Sequence, residues 1–183
     1  MSGEEITNPV PRQIDLLLTG YGYNFYNVKN QMRADDLLVR QKVAETLGLA
    51  ANALGALQGD YQRRYVPPGT REQPCPPPEQ MERLREIGQA RERLSTLAAE
   101  IRGMPVPAQD RTWWRLRDER SLLESLLEFD RALVGRIEEV ALLVRNLTAN
   151  AWHSGELYAG LESRIEQLAT IVHDRRRLLQ TPI

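Results

Sequence analysis

Residues 113–147 read WWRLRDERSLLESLLEFDRALVGRIEEVALLVRNL, and this stretch decides the fold class. It contains no proline and a single glycine, so a helix can run through its whole length. Its apolar residues form two overlapping heptad rows. One row is Trp113, Leu116, Leu123, Leu127, Val134, Ile137, Ala141 and Val144, and the other is Leu122, Leu126, Phe129, Leu133, Val140, Leu143 and Leu147. A helix that is apolar over so wide an arc needs neighbours on more than one side, which predicts a helical bundle.

Prolines divide the rest of the chain into long uninterrupted stretches, and proline inside a helix costs about 3 kcal/mol. The spacing predicts long helices over residues 28–65, 79–103 and 110–150, and a fourth that opens at Ser154 or Gly155. A short amphipathic helix is predicted over residues 12–18. No alternating β-branched run indicates a strand. The sequence therefore predicts an all-α protein, a single elongated antiparallel bundle of about four long helices plus a short N-terminal helix, over residues 1–183.

The lengths of these helices restrict the shape of the bundle. A helix of about 40 residues is about 60 Å long, whereas a compact chain of this size has a radius of gyration of about 16 Å. The long helices therefore bend at Gly48 and Gly135, or they form a rod. The proline-rich residues 66–78 are predicted to be a stiff connector between two helices. Pro74-x-x-Pro77 within them also resembles a short polyproline ligand, which is the weaker interpretation.

The charge balance excludes several classes of partner. The chain has 24 basic and 25 acidic side chains, so no global field attracts nucleic acid or anionic lipid. No apolar run is long enough to span a membrane.

The single cysteine, Cys75, and the acidic first residues favour a cytoplasmic protein. The basic residues 173–177 are interpreted as ordinary charge at a helix C-terminus.

No pattern of residues indicates catalysis, a metal or a cofactor. Neither His153 nor His173 follows a glutamate at the spacing of a di-iron helix motif. The carboxylates of Glu79 and Glu82 lack the second pair that a magnesium site would need. Cys75 has no neighbouring base, and there is no phosphate-binding glycine motif. The sequence predicts no catalytic residue, no metal site and no cofactor, and favours a protein that is not an enzyme.

Small residues follow one face of the first long helix. Ala44, Gly48, Ala51, Gly55 and Gly59 are spaced by three or four positions, and each glycine costs about 1 kcal/mol relative to alanine. Close approach of another helix would compensate for that cost, because small side chains let backbones pack tightly. We expect close helix packing here, from a neighbour within the chain. Self-association and a ligand crevice are the alternatives.

An aromatic connector precedes that helix. Tyr21, Tyr23, Phe25 and Tyr26 lie within six positions, and tyrosine-rich loops are common at protein interfaces. The sequence predicts that these four residues bind a partner, with Trp114 as a further exposed candidate. The alternative is that they close one end of the bundle as an apolar plug.

Two functions follow from these features. The first is a non-enzymatic assembly, adaptor or chaperone-like protein that forms a homo-oligomer and binds another protein through helix faces and the aromatic connector. The alternative is a helical-bundle enzyme or small-molecule-binding protein. In that case Arg91 and Arg120, at positions expected to face the bundle, would hold an anionic ligand.

Overall fold

Five helices account for most of the chain that the structure describes. The structure is a computed structural model, and it describes residues 28–69, 71, 75–105, 119–155 and 158–180. Those residues contain no strand, which confirms the predicted all-α class. The predicted helix at residues 12–18 lies outside them. The helices are α1 (Val28–Tyr65), α2 (Pro78–Arg102), α3 (Glu119–Asn146), α4 (Ala149–Ser154) and α5 (Tyr158–Gln180).

The first helix has the bounds that the sequence predicts. Its 38 residues extend for about 57 Å at 1.5 Å per residue. Gly48 does not interrupt α1, and Gly135 does not interrupt α3. Both helices therefore continue through these glycines without a break.

The last two helices differ from the prediction because the chain breaks after Asn146. The predicted third helix runs to Asn150, but Thr148 caps a separate short helix, α4, by accepting a hydrogen bond from the backbone N–H of Ala151 at 3.2 Å. Gly155, expected near the start of the fourth long helix, instead ends α4 in the left-handed conformation at φ 81°. The fourth long helix begins at Tyr158.

The helices α1 and α2 are antiparallel neighbours. The guanidinium of Arg40, near the start of α1, donates to the carbonyl oxygen of Met104, just after the end of α2. Farther along α1, the Gln58 amide lies beside Gly88, in the first half of α2. The start of α1 thus lies beside the end of α2, and a later part of α1 lies beside an earlier part of α2, so the two helices run in opposite directions.

The other pair, α3 and α5, completes the bundle. Asp130 of α3 meets Asp36 of α1, and Val144 borders the same groove as Leu57, so α1 and α3 run in the same direction. Helix α5 packs against both α2 and α3 and runs parallel to α2. Its contacts with α2 include the ion pairs Glu162–Arg93 and Arg176–Glu100. The described helices form an up-down-up-down bundle in which α2 and α3 occupy opposite corners.

The core runs along the middle of the bundle. It consists of side chains at heptad spacing on every long helix, among them Leu47, Leu54, Ile87, Leu94, Leu133, Val140, Leu161, Ile165 and Leu168. On α3 the buried residues come from both predicted rows, because α1 lies on one side of this helix and α5 on the other. None of the described helices has both the length and the apolarity that crossing a bilayer requires.

Candidate functional site

The residues predicted to bind a partner lie outside the described part of the chain. This applies to Tyr21, Tyr23, Phe25 and Tyr26, and also to Trp114. Their role stays a prediction. The surfaces that can be examined are those of the bundle itself.

The small residues of α1 have different surroundings. Ala51 is buried in the core. A methyl group at Gly55 would lie 3.5 Å from the Arg91 Nε atom of α2, and one at Gly59 would meet only Arg63 of its own helix. At Gly48 no atom of the described residues lies within 4 Å of such a methyl group. Among the described residues, then, the close approach of another helix at Gly48 is not seen.

The open space at Gly48 leads to a stability prediction. Gly48→Ala should raise the free energy of unfolding by about 0.5–1 kcal/mol, because alanine restricts the unfolded chain and favours the helix. Urea denaturation measures the change. Gly155→Ala is the matched control and should be destabilising, because its methyl group would lie 2.8 Å from the Arg83 Nη1 atom at a positive φ. Destabilisation by Gly48→Ala would show that a neighbour covers this position.

The middle of α1 lacks charged side chains even where it faces solvent. Residues 46–59, TLGLAANALGALQG, contain no Asp, Glu, Lys or Arg. Leu49 is 64% exposed, and Asn52, Ala53 and Ala56 are exposed as well. We call these four residues the uncharged face of α1. The solvent sides of the neighbouring helices differ, because they carry charges at regular intervals, for example Glu82, Arg85, Glu92 and Arg102 on α2 and Glu128, Arg131, Glu139 and Arg145 on α3.

A groove between α1 and α3 borders this face. Its volume is about 600 Å³, and Ala53, Ala56 and Leu57 of α1 line one wall while Val144 of α3 and Leu147 line the other. We call it the α1–α3 groove. The groove is open to solvent, and two of the five residues on its α1 wall are alanines. An apolar groove of this shape can accept the side chains of another helix.

The end of the groove nearest the C-terminus of α1 carries an excess of positive charge. The carboxylate of Asp60 pairs with Arg63 at 3.3 Å and with Arg64 at 3.2 Å. The Arg64 guanidinium also lies 3.4 Å from the Asn150 Oδ1 atom, which helps to hold it at the rim. Arg145 is exposed on the α3 wall of the groove. Two guanidinium groups thus share one carboxylate at this end of the groove.

One of the two arginines proposed for an anionic ligand, Arg91, is not in the bundle interior. Arg91 is exposed and borders a shallow depression with Gln58, Gly88 and Ser95. Its guanidinium lies beside Gly55 at the edge of the contact between α1 and α2. The side chain of Arg120 lies outside the described part of the structure. If Arg91 holds an anion, it does so at the surface.

The arginines that are buried inside the bundle are Arg40 and Arg175. Their side chains are 1% and 0% exposed, and they contact the buried carboxyl groups of Asp36 and Asp130. Arg40 donates to Asp36 Oδ2 from Nε at 3.1 Å and from Nη2 at 2.9 Å. Arg175 donates from Nη2 to Asp36 Oδ1. These four residues of α1, α3 and α5 are called the buried charge cluster below.

Met104 provides further partners for the two arginines. Its carbonyl oxygen accepts from Arg40 Nη1 at 2.5 Å, and its sulfur accepts from Arg175 Nη1 at 3.2 Å. These hydrogen bonds hold the chain just after α2 against α1 and α5. The sequence pattern does not predict this cluster, and Arg175 was interpreted from it as ordinary charge at a helix C-terminus. The available signal was that Asp36, Arg40, Asp130 and Arg175 all continue the apolar heptad rows of their helices.

An aromatic cluster occupies the opposite end of the bundle. The Tyr65 ring stacks on the His153 imidazole with centroids 4.1 Å apart, and the Tyr61 hydroxyl lies 3.1 Å from His153 Nδ1. The Tyr65 hydroxyl donates to Asn150 Oδ1 at 2.7 Å. Burial raises the pKa of Tyr61, and Arg83 opposes that shift. These contacts fix α4 against the end of α1.

Comparison of the chain with protein-family models, with curated proteins and with solved structures gave no match. Within the residues that the structure describes, no three histidine, cysteine, aspartate or glutamate side chains are grouped so that they could hold a metal ion.

Proposed function

We propose that this protein is a non-enzymatic adaptor or assembly protein that binds a partner by holding an amphipathic helix of that partner in the α1–α3 groove. The observation that carries the proposal is the uncharged face of α1, in the middle of a long and otherwise well-charged helix. Exposed apolar surface beside a groove is typical of protein-interaction sites. The aromatic connector would then provide additional contacts, as the sequence predicts.

The energetics of this face favour binding. Alanine and glycine lose almost no side-chain entropy when they become buried. Because residues 46–59 carry no charge, no ionised group of α1 has to give up its water when a partner covers this part of the helix. Side-chain ordering and the desolvation of charged groups therefore cost little on the α1 side of such an interface.

The groove also indicates the chemistry of the partner helix. A floor of alanine and leucine fits large apolar side chains spaced three and four residues apart. The α1 wall of the groove runs from Ala53 to Arg64 and extends for about 16 Å, which matches about three turns of a docked helix. The excess of guanidinium groups near Asp60 favours acidic residues at the adjacent end of that helix.

A charge placed in the groove should therefore block the partner. We expect Ala56→Glu to weaken binding at least about 30-fold, since an unpaired charge buried in an interface costs about 2 kcal/mol or more. The matched control is Gln167→Glu on the exposed side of α5, which should bind as the unmodified chain does. The partner is identified by mass spectrometry of affinity-purified complexes, and its affinity for each purified variant is then measured by calorimetry.

The identity of the captured protein shows which molecule occupies the α1–α3 groove. The proposal requires one protein with an acidic amphipathic helix that Ala56→Glu loses and Gln167→Glu retains. If the captured species is a second copy of this chain, the groove serves a homo-oligomer instead. Equal affinity for both variants would refute a binding site in the groove.

The proposal places this function in the cytoplasm. It is supported by the single cysteine, which cannot form a disulfide within the chain.

A further inference from the structure

Two buried carboxyl groups lie against the same arginine in the buried charge cluster. Asp36 is 5% exposed and Asp130 is 1% exposed. Arg175 donates from Nη2 to Asp36 Oδ1, and its Nε atom lies 3.4 Å from Asp130 Oδ1. Two ionised carboxylates held this close together in the core repel each other, and a single proton on the pair removes that repulsion.

The surrounding donors show which carboxyl group carries that proton. Asp36 accepts three N–H groups from Arg40 and Arg175, which is the environment of an ionised carboxylate. Asp130 Oδ1 accepts no hydrogen bond, although Arg175 Nε lies 3.4 Å away. A buried carboxylate oxygen that accepts no hydrogen bond disfavours the ionised form, and a protonated Asp130 no longer repels Asp36.

We infer that Asp36 and Asp130 bind one proton between them, carried on Asp130, and that this proton makes the packing of α1, α3 and α5 depend on pH. The inference goes beyond the proposed partner binding and does not depend on it. Burial, followed by the negative charge of Asp36, raises the pKa of Asp130 to about 7, while Arg175 and Arg40 oppose the rise.

The charged groups on each neighbouring element are consistent with this assignment. From α1 the site faces Asp36 and Arg40, from α3 Asp130, and from α5 Arg175. The chain after α2 supplies Met104, which is not titratable. The next ion pair along the helices, Arg176 with Glu100, is about 40% exposed and satisfied within itself. Arg40 and Arg175 equal the two carboxyl groups in number, but the hydrogen bonds that they donate to carboxyl oxygens all go to Asp36.

Loss of the proton would put a second negative charge beside Asp36 in the core. The folded chain binds the proton more tightly than the unfolded chain does, because an unperturbed aspartate has a pKa of about 3.9. Below pH 4 both states are protonated, and the site's stabilisation is fully present. As the pH rises from about 4 to 7, that stabilisation is progressively lost, and above about pH 7 it changes no further.

The test compares the pH dependence of unfolding in two proteins. Between about pH 5 and 6 one extra proton on the folded chain should raise the unfolding equilibrium constant about tenfold per pH unit. Asp130→Asn should lose this contribution, because asparagine has a similar shape to a protonated aspartate and does not titrate. Burial also raises the pKa of Glu86, but that residue affects both proteins equally, so the difference between them isolates Asp130. Equal pH dependence in the two proteins would overturn the inference.

A second measurement uses the unmodified chain and does not depend on how the variant folds. Carbon-13 NMR of aspartate-labelled protein should show one carboxyl carbon that titrates near pH 7. The Asp60→Asn protein, which lacks a carboxylate at the far end of α1, should retain that signal. If no aspartate carboxyl of the folded chain titrates between about pH 6 and 8, the proton site does not exist.

Discussion

Arg175→Ala is expected to lower the free energy of unfolding by about 3–5 kcal/mol, because it breaks the buried ion pair with Asp36 and leaves that carboxylate with Arg40 as its remaining cation. Arg175 is fully buried and reaches Asp36, Asp130 and the Met104 sulfur. Its removal therefore releases contacts with α1, α3 and the chain after α2 together. Urea denaturation followed by circular dichroism measures the loss.

The neighbouring arginine provides a matched control. Arg176 is 42% exposed and its guanidinium lies 3.5 Å from Glu100. Because exposed ion pairs contribute little, Arg176→Ala should cost about 1 kcal/mol or less. A similar small loss for both arginines would mean that Arg175 acts as ordinary C-terminal charge and that the buried charge cluster does not hold the helices together.

Trp152→Ala is the second substitution with a large expected effect, about 3–5 kcal/mol, through the cavity that it leaves. Trp152 is 1% exposed, and its ring meets Tyr158 edge-on with centroids 5.5 Å apart. Its indole N–H donates to the Arg83 carbonyl oxygen at 3.1 Å. The six-residue helix α4 depends on this anchor, since so short a helix is not stable alone.

The control for Trp152→Ala is the truncation of an exposed apolar residue. Leu142 of α3 is 62% exposed, so Leu142→Ala should change the free energy of unfolding by about 0.5 kcal/mol or less. Thermal and urea denaturation of both variants are measured together. A Trp152→Ala protein as stable as Leu142→Ala would show that α4 does not seat Trp152 in the core.

The helices could be predicted from the sequence because their signals are local. Residues 28–65 contain no proline, and their apolar positions keep helical spacing, so α1 was predicted with its observed bounds. The break after Asn146 was missed because Leu147 continues the apolar row. The signal that ends α3 is a side-chain cap at Thr148, which depends on backbone geometry and not on the apolar pattern.

The buried charge cluster could not be predicted helix by helix. A charge such as Arg175 in an apolar row is either a surface residue at a frayed end or a buried one with a partner. Only the register between helices brings it to Asp36, which is 139 positions away in the chain. The α1–α3 groove is equally non-local, because its walls belong to helices that are not consecutive. The uncharged run in α1 was visible, but the sequence alone did not show which of its residues face solvent.

Site-specific photo-crosslinking tests partner binding in the groove most directly. A photoreactive amino acid is placed at Ala53, in the groove, or at Thr170, on the exposed side of α5, in the full-length chain. Partner binding in the groove predicts one protein crosslinked from position 53 and not from position 170, with the linked peptide in an acidic amphipathic helix. Identical products from both positions, or none from position 53, would contradict it.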